Sequence, residues 1–190
     1  GTTQTTDTVR NLGPGFYLVN VIDANGCVAN ANFTLTPSIP IVGFTTSIIT
    51  NVDCFGDSTG SAGAIAFGGT GNLTFTWSTG DVTGSPSVIT TLKAGTYTVT
   101  VNDDNSCTDS QSITITEPNE LDPNTTATNV SCSGTADGSI SSTPLGGTPP
   151  YQFNWSTGAS SVGVSGTISN LTPNIYTLIV TDDNGCDTTE

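Results

Sequence analysis

The feature that most constrains this chain is that it repeats itself. The segment LKAGTYTVTVNDDNSC (Leu92 to Cys107) returns as LTPNIYTLIVTDDNGC (Leu171 to Cys186) and as LGPGFYLVNVIDANGC (Leu12 to Cys27). The cysteines that close these segments, at 27, 107 and 186, lie 80 and 79 residues apart. A second block, Cys54 to Gly80, aligns without a gap to Cys132 to Gly158, and in both a Trp follows the Cys by 23 residues. Self-similarity at this spacing means one folded unit per period, each organised around its own small core. The 190 residues therefore divide into the back half of one unit (1–38), a complete unit (39–118), and a unit lacking its last strand (119–190).

Within a unit the apolar residues alternate. Tyr97, Val99 and Val101 share one face with Thr between them, and Leu73, Phe75 and Trp77 do the same, which is the period-2 signature of half-buried strands. For the complete unit this reading predicts strands near 44–53, 61–67, 72–78, 86–92, 96–102 and 111–116, separated by Gly, Asn-Asp and Pro turns. Six or seven short strands in about 79 residues predict an all-β fold, tandem Ig-like or PKD-like β-sandwiches. Trp77 and Trp155 are expected in the cores. Tyr17, Tyr97 and Tyr176 open the penultimate strand after an L-x-x-G-like turn and are expected to be structural, their hydroxyls bonding back to the backbone as in a tyrosine corner.

Charge and residue types then exclude function classes. Two basic residues against 16 acidic ones give a formal net charge of −14, which repels phosphate backbones and anionic membranes. No nucleic-acid partner and no membrane insertion are expected, since no run of 18 apolar residues exists either. Residues 1–20 lack the basic-then-apolar layout of a signal peptide, so an export signal is expected outside this sequence. With no His anywhere, neither a Ser-His-Asp nor a Cys-His arrangement can be assembled. The acidic clusters sit in expected turns with no apolar pocket implied around them, so no catalytic residue is assigned and the chain is read as non-enzymatic. An internal Lys-Asn crosslink would need a Lys in each unit. Lys93 is the only one.

Five cysteines, Cys27, Cys54, Cys107, Cys132 and Cys186, with no CxxC pair point to structural disulfides in an oxidising compartment. Two regular schemes are open. One pairs within a unit, Cys54 with Cys107 and Cys132 with Cys186, and leaves Cys27 to a partner upstream of Gly1. The other pairs across a junction, Cys27 with Cys54 and Cys107 with Cys132, and leaves Cys186. The odd count does not choose. A self-contained module favours the within-unit scheme, one disulfide per unit, with the bridge near the edge of the sandwich.

Metal binding has two sets of candidates, the first being the turns containing Asp103, Asp104, Asp182 and Asp183, with Asp23 in the first copy. Their carboxylates could supply oxygen ligands to Ca²⁺. They lack the alternating Asp spacing and downstream Glu of an EF-hand loop, and the plainer reading is an Asx turn between the last two strands. No other cofactor is expected. The linker residues Glu117, Asn119, Glu120 and Asp122 are the second set of Ca²⁺ candidates, and their plainer reading is a solvated connection stiffened by Pro118 and Pro123. N-x-[ST] triplets begin at Asn32, Asn72, Asn124, Asn129, Asn154 and Asn170, as expected of a Thr-rich chain.

The combination of GGTPPYQFNWSTG (Gly146 to Gly158), the L-x-x-G-x-Y-x-V-x-V-x-D-x-N-G-C pattern and ITITEP (Ile113 to Pro118) resembles the SprB repeat. Gly71-Asn72 departs from it where Pro149-Pro150 match. The resemblance implies large cell-surface adhesins of gliding Bacteroidota, exported across the outer membrane by the type IX secretion system. It implies as partners neighbouring repeats of the same chain, the secretion and gliding machinery, and an extracellular surface or polysaccharide gripped through the full-length protein. The leading expectation is thus a structural stalk of an adhesin used in gliding motility and attachment. The alternative is a carbohydrate-binding or PKD-like accessory module of a secreted polysaccharide-degrading enzyme, which would require exposed planar aromatics. Nearly every aromatic is assigned to the core instead.

Overall fold

A computed structural model describes residues 8–190, apart from the side chains of 46–49. Its first element is a hairpin of β1 (Gly15–Ile22) and β2 (Val28–Leu35), paired antiparallel through the register Tyr17 to Phe33 and Val19 to Ala31. A first sandwich follows, built from β3 (Ile41–Thr50), β4 (Gly60–Gly68), β5 (Thr74–Trp77), β6 (Val82–Thr83), β7 (Ser87–Leu92), β8 (Gly95–Asn102) and β9 (Thr108–Ile115). A second is built from β10 (Thr125–Thr128), β11 (Gly138–Ser142), β12 (Tyr151–Trp155), β13 (Ser160–Gly163), β14 (Gly166–Leu171), β15 (Leu178–Thr181) and β16 (Asp187–Thr189). The described residues contain no helix.

In each sandwich a three-stranded sheet, β3-β4-β7 or β10-β11-β14, packs on a four-stranded sheet, β6-β5-β8-β9 or β13-β12-β15-β16. This three-on-four antiparallel order is the Ig-like arrangement. The chain is thus all-β, with tandem Ig-like sandwiches.

Alternation explains why these residues form these strands. On β8, Val99 and Val101 are fully buried, while Thr96 and Thr98, on the other face of the strand, are exposed and pair across to β9. Thr96 meets Thr114 at 3.3 Å and Thr98 meets Ser112 at 3.2 Å, the cross-strand hydroxyl pairs that stabilise an exposed face. The first core gathers Phe44, Ala62, Ala64, Phe75, Trp77, Val99, Val101, Ile113 and Ile115, and the second Tyr151, Phe153, Trp155, Ile168, Leu171, Leu178 and Val180.

The two cores solve equivalent positions differently. In the first, Trp77 Nε1 donates to Ser87 Oγ at 2.8 Å, a buried polar pair. In the second, Gly166 stands where Ser87 would fall, because a Cβ there would lie 2.6 Å from the Phe153 ring. Tyr17 in the leading hairpin and Tyr97 and Tyr176 in the sandwiches are half-buried, and each hydroxyl donates to the carbonyl four residues back: Gly13 at 2.5 Å, Lys93 at 3.0 Å and Thr172 at 2.8 Å.

Candidate functional site: the poles of the sandwiches and their junction

Each sandwich has an entry pole, where the chain arrives, and an exit pole, where it leaves. At the entry pole of the first, the Pro40 carbonyl accepts the Gly69 N–H at 3.0 Å and the Thr70 carbonyl accepts the Asp104 N–H at 3.0 Å. In the second, Asn119 accepts from Gly147 at 2.9 Å and Thr148 from Asp183 at 2.8 Å. The Gly-Gly pair of this turn is dictated by crowding as well as by positive φ. A Cβ on Gly68 (φ 75°) would sit 2.3 Å from the Pro40 oxygen, and one on Gly146 (φ 69°) 2.0 Å from the Glu120 oxygen.

The close approach aims the next N–H at a buried aspartate. Thr70 N–H donates to Asp103 Oδ2 at 2.9 Å, while Asp103 Oδ1 accepts from Asn105 at 2.9 Å and Cys107 at 2.8 Å. The copy is the same: Thr148 N–H donates to Asp182 Oδ2 at 2.8 Å, and Asn184 and Cys186 donate to Oδ1 at 2.9 Å each. In the leading hairpin, Asp23 Oδ1 accepts from Asn25 at 2.9 Å and Cys27 at 2.8 Å. These aspartates act as the internal anchor of a D-x-N-x-C turn. The Asp103 carboxyl is held below the usual carboxylate range, foremost by the Thr70 N–H and against the opposing effect of burial. Asp104 Oδ2 accepts the Asn72 N–H at 3.1 Å. Among the described residues, no group of three or more His, Cys, Asp or Glu is placed to hold a metal ion, so Asp103, Asp104, Asp182 and Asp183 do not converge into a cation cage.

The exit pole carries the other cysteine. Val52 N–H donates to the Thr116 carbonyl at 2.9 Å and Gly56 N–H to Glu117 Oε2 at 2.7 Å, which fixes the Cys54 turn beside the departing chain. Its copy around Cys132 has the same geometry. Asp57 N–H reaches the Cys54 carbonyl at 3.1 Å, and Thr135 N–H the Cys132 carbonyl at 3.2 Å. Asp53 N–H meets Thr59 Oγ1 at 2.9 Å, and Ser131 N–H meets Asp137 Oδ1 at 3.0 Å. Hydrogen bonds from Ser131, side chain first, and Thr135 lower the Asp137 carboxyl to about 2.

Where the exit pole of the first sandwich meets the entry pole of the second, Cys54 is bonded to Cys186, with Cα atoms 5.6 Å apart. Beside the bond, Asn184 Nδ2 donates to the Asp53 carbonyl at 2.9 Å and to Thr148 Oγ1 at 3.1 Å. This pairing corrects both schemes drawn from the sequence. Cys54–Cys107 and Cys132–Cys186 do not form, nor do Cys27–Cys54 and Cys107–Cys132; Cys27, Cys107 and Cys132 are free thiols. The reason is distance. Cys54 lies at the exit pole and Cys107 at the entry pole of the same sandwich, separated by the length of the eight-residue hairpin strands. That is roughly 25 Å at the rise of a strand, against the 7 Å that a disulfide tolerates between Cα atoms. The expectation of one disulfide per unit is replaced by one disulfide between units.

The charges at this junction make the covalent bond informative. Asp53, Asp57 and Glu117 belong to the exit pole, and Glu120, Asp182 and Asp183 to the entry pole facing it. The whole sequence offers only Arg10 and Lys93 as basic residues. Two acidic ends held within a Debye length repel, so the contact is held by the bond and by Asn184 rather than by ion pairs.

Elsewhere the surface is chemically plain. A depression of about 680 Å³ is lined by Phe67, Leu73, Thr74, Val82, Thr83 and Ser85 among others, and one of about 350 Å³ by Val130, Ile140, Leu171, Pro173 and Tyr176 among others. Neither lining contains a carboxylate, thiol or amine. The assignment of nearly every aromatic to the core also needs correction, because Phe16, Phe33, Phe55 and Phe67 are exposed. Trp77 and Trp155 are buried in their cores.

The fold and its junction define a class, tandem Ig-like sandwiches strung end to end. Within that class, residues 46–82 and 124–160 match the SprB-repeat family model, once in each sandwich. Among solved structures, the chain is similar to a crystal structure of Dpr11 IG1 bound to DIP-gamma IG+IG2, at 14% identity and a TM-score of 0.29, covering 81% of this chain and 96% of that one. It is also similar to a tetra-tandem repeat in the extending region of a large adhesion protein, at 16% identity and a TM-score of 0.28, covering 94% of this chain and 56% of that one. A search of curated proteins found no match.

Proposed function

We propose that this chain is part of the stalk of a secreted bacterial surface adhesin, in which the sandwiches space and carry a binding element instead of binding specifically themselves. The observation that carries this reading is the junction. Two independently cored units are set in series and bonded pole to pole, an arrangement suited to transmitting force along the chain. The SprB-repeat match in both units supports an adhesin of the gliding type, displayed on the cell surface after export by the type IX system, with neighbouring repeats and the gliding machinery as its partners. The formal charge of −14 keeps parallel stalks apart. No catalytic role is assigned, since the linings of these two surface depressions hold no carboxylate, thiol or amine.

A glycan array with the oxidised chain tests the reading against a carbohydrate-binding module. The stalk predicts no selective binding. Tight capture of one polysaccharide, lost when Phe55 or Phe67 is changed to Ala, would replace the stalk with a glycan-binding role.

A further inference from the structure

We propose that the Cys54–Cys186 bond is one instance of a staple repeated at every junction of a longer array. Cys107 then takes the exit-pole cysteine of the unit before it, and Cys132 the entry-pole cysteine of the unit after it. The ligand of each free thiol is thus a second unit of the same kind. Three observations converge. Cys107 sits in the same aspartate-anchored turn as Cys186, its N–H on Asp103 Oδ1 at 2.8 Å where Cys186 uses Asp182 Oδ1 at 2.9 Å. Cys132 sits in the same exit-pole turn as Cys54. And in the one place where an exit-pole turn meets an entry-pole turn, the two cysteines are bonded.

The step along the sequence explains which thiols are free. The bond joins residues 132 apart. The same step back from Cys107 falls ahead of Gly1, and the same step forward from Cys132 falls beyond Glu190, so neither bond can close within these 190 residues. Each bond forms when two thiols give two electrons and two protons to an exchangeable disulfide, which departs as two thiols.

The topology has a mechanical consequence. If every exit-pole cysteine is bonded to the next unit's entry-pole cysteine, the covalent route along the array runs from an entry-pole cysteine to the following exit-pole cysteine, then across a bond. Between Cys107 and Cys132 that route is β9, the linker and β10, 25 residues of largely extended chain crossing two sandwiches. The route from Cys27 to Cys54, through β2 and β3, is the same element one unit earlier. Every sandwich is therefore crossed by two staggered covalent tracks. The stretch from β4 to β8, which holds Trp77 and most of the core, hangs outside both. Pulling on such an array finds strands already near their full length of about 3.4 Å per residue, with little slack to release.

The test is the whole chain extended by one period, with residues 112–190 appended after Glu190, the appended copy marked by Ser133→Thr and Thr188→Ser so that its cysteine peptides differ in mass, and refolded in a glutathione redox buffer. Peptide mapping without reduction is expected to show Cys54 bonded to Cys186 and Cys132 bonded to the appended copy of Cys186. Free thiols should number three in both the original and the extended chain, although the latter has two more cysteines. A free Cys132, or any bond between Cys54 and Cys107 or between Cys132 and Cys186, overturns the proposal. Single-molecule pulling on the extended chain tests the tracks. Reduced protein should unfold in steps of roughly 200 Å or more as a unit of about 79 residues pays out, and oxidised protein should lack such steps for the sandwich stapled at both poles. Full-length steps from that sandwich in the oxidised chain would show that force does not follow the bonds.

Discussion

The leading hairpin β1–β2 and the hairpin β8–β9 have the same sequence pattern and the same register, yet they live in opposite environments. Val99 and Val101 are 0% exposed, whereas their counterparts Val19 and Val21 are 43% and 61% exposed. Ile113 and Ile115 are buried, and their counterparts Phe33 and Leu35 are exposed. The turn is nevertheless the same, with Asp23 and Asp103 each holding two N–H groups and Tyr17 and Tyr97 each reaching back four residues. Alternation, the anchored turn and the tyrosine bond thus specify the hairpin locally. The core is a second decision, made only where β5 pairs beside the hairpin and the β3-β4-β7 sheet lies across from it.

The largest expected effect separates these two decisions. Val101→Asp buries a carboxylate with no partner and should cost the first sandwich more than about 4 kcal/mol, enough to unfold it at room temperature. Val21→Asp, in the same position of the uncovered hairpin, should stay within about 0.5 kcal/mol. Urea melts of both variants decide it. Equal losses would mean that the leading hairpin packs on a surface that its exposure does not show.

Next in size is the staple. Cys186→Ser should destabilise both sandwiches by roughly 2–4 kcal/mol, because the bond restricts the unfolded chain of each, and their unfolding transitions should separate. The leading hairpin, whose Cys27 is unbonded, provides the contrast: Cys27→Ser should leave every transition in place. Calorimetry in the absence of reductant measures both. A Cys186→Ser protein that melts like the parent would show that the junction adds nothing to either fold.

Much of this was legible beforehand. Period-2 alternation marked β4, β5, β7, β8 and β9 because each buries one face, and the tyrosine bond followed from its place after the L-x-x-G turn. The disulfide was illegible for a reason that can be traced to one element. Four strands were expected between Cys54 and Cys107, and an even number of antiparallel crossings returns a chain to the pole it left. The structure has five, because the two-residue β6 (Val82–Thr83) is an edge strand too short to show alternation. That extra crossing places the two cysteines at opposite poles. The copy has β13 (Ser160–Gly163) in the same place. A bond between neighbouring units also has no signature in spacing alone, since its partners are not adjacent among the cysteines.

A smaller effect tests the local half of the comparison. Tyr97→Phe removes one hydrogen bond to the Lys93 carbonyl and should cost about 1 kcal/mol in the first sandwich. Tyr17→Phe removes the equivalent bond to Gly13 in a hairpin with no core to report on, so the cooperative transitions should not move. The difference is readable in paired urea melts, and a loss in Tyr17→Phe equal to that in Tyr97→Phe would mean that the leading hairpin unfolds together with its neighbour.

The last distinction is the Thr70 N–H, which Asp103 accepts from the β4–β5 turn, a part of the fold that the leading hairpin does without. This bond is the foremost reason that the Asp103 carboxyl lies below 3.8, as the bonds from Ser131 and Thr135 are for Asp137, at about 2. A carboxyl with a lowered folded value binds its proton more weakly folded than unfolded, so its contribution to stability is whole above pH 3.8 and fades as the pH falls through the folded value. For Asp137 the window runs from 3.8 down to about 2. Asp137 is exposed and Asp103 buried, but both lie at the poles and outside the apolar cores, so the loss should be local, loosening the two turns while the cores persist. Amide NMR through an acid titration follows it at the donors themselves. The N–H resonances of Thr70 and Ser131 should hold their folded positions at pH 4 and shift only below 3.8. Midpoints at or above that value would mean that these carboxylates anchor nothing, and that the pole turns are held by glycine geometry alone.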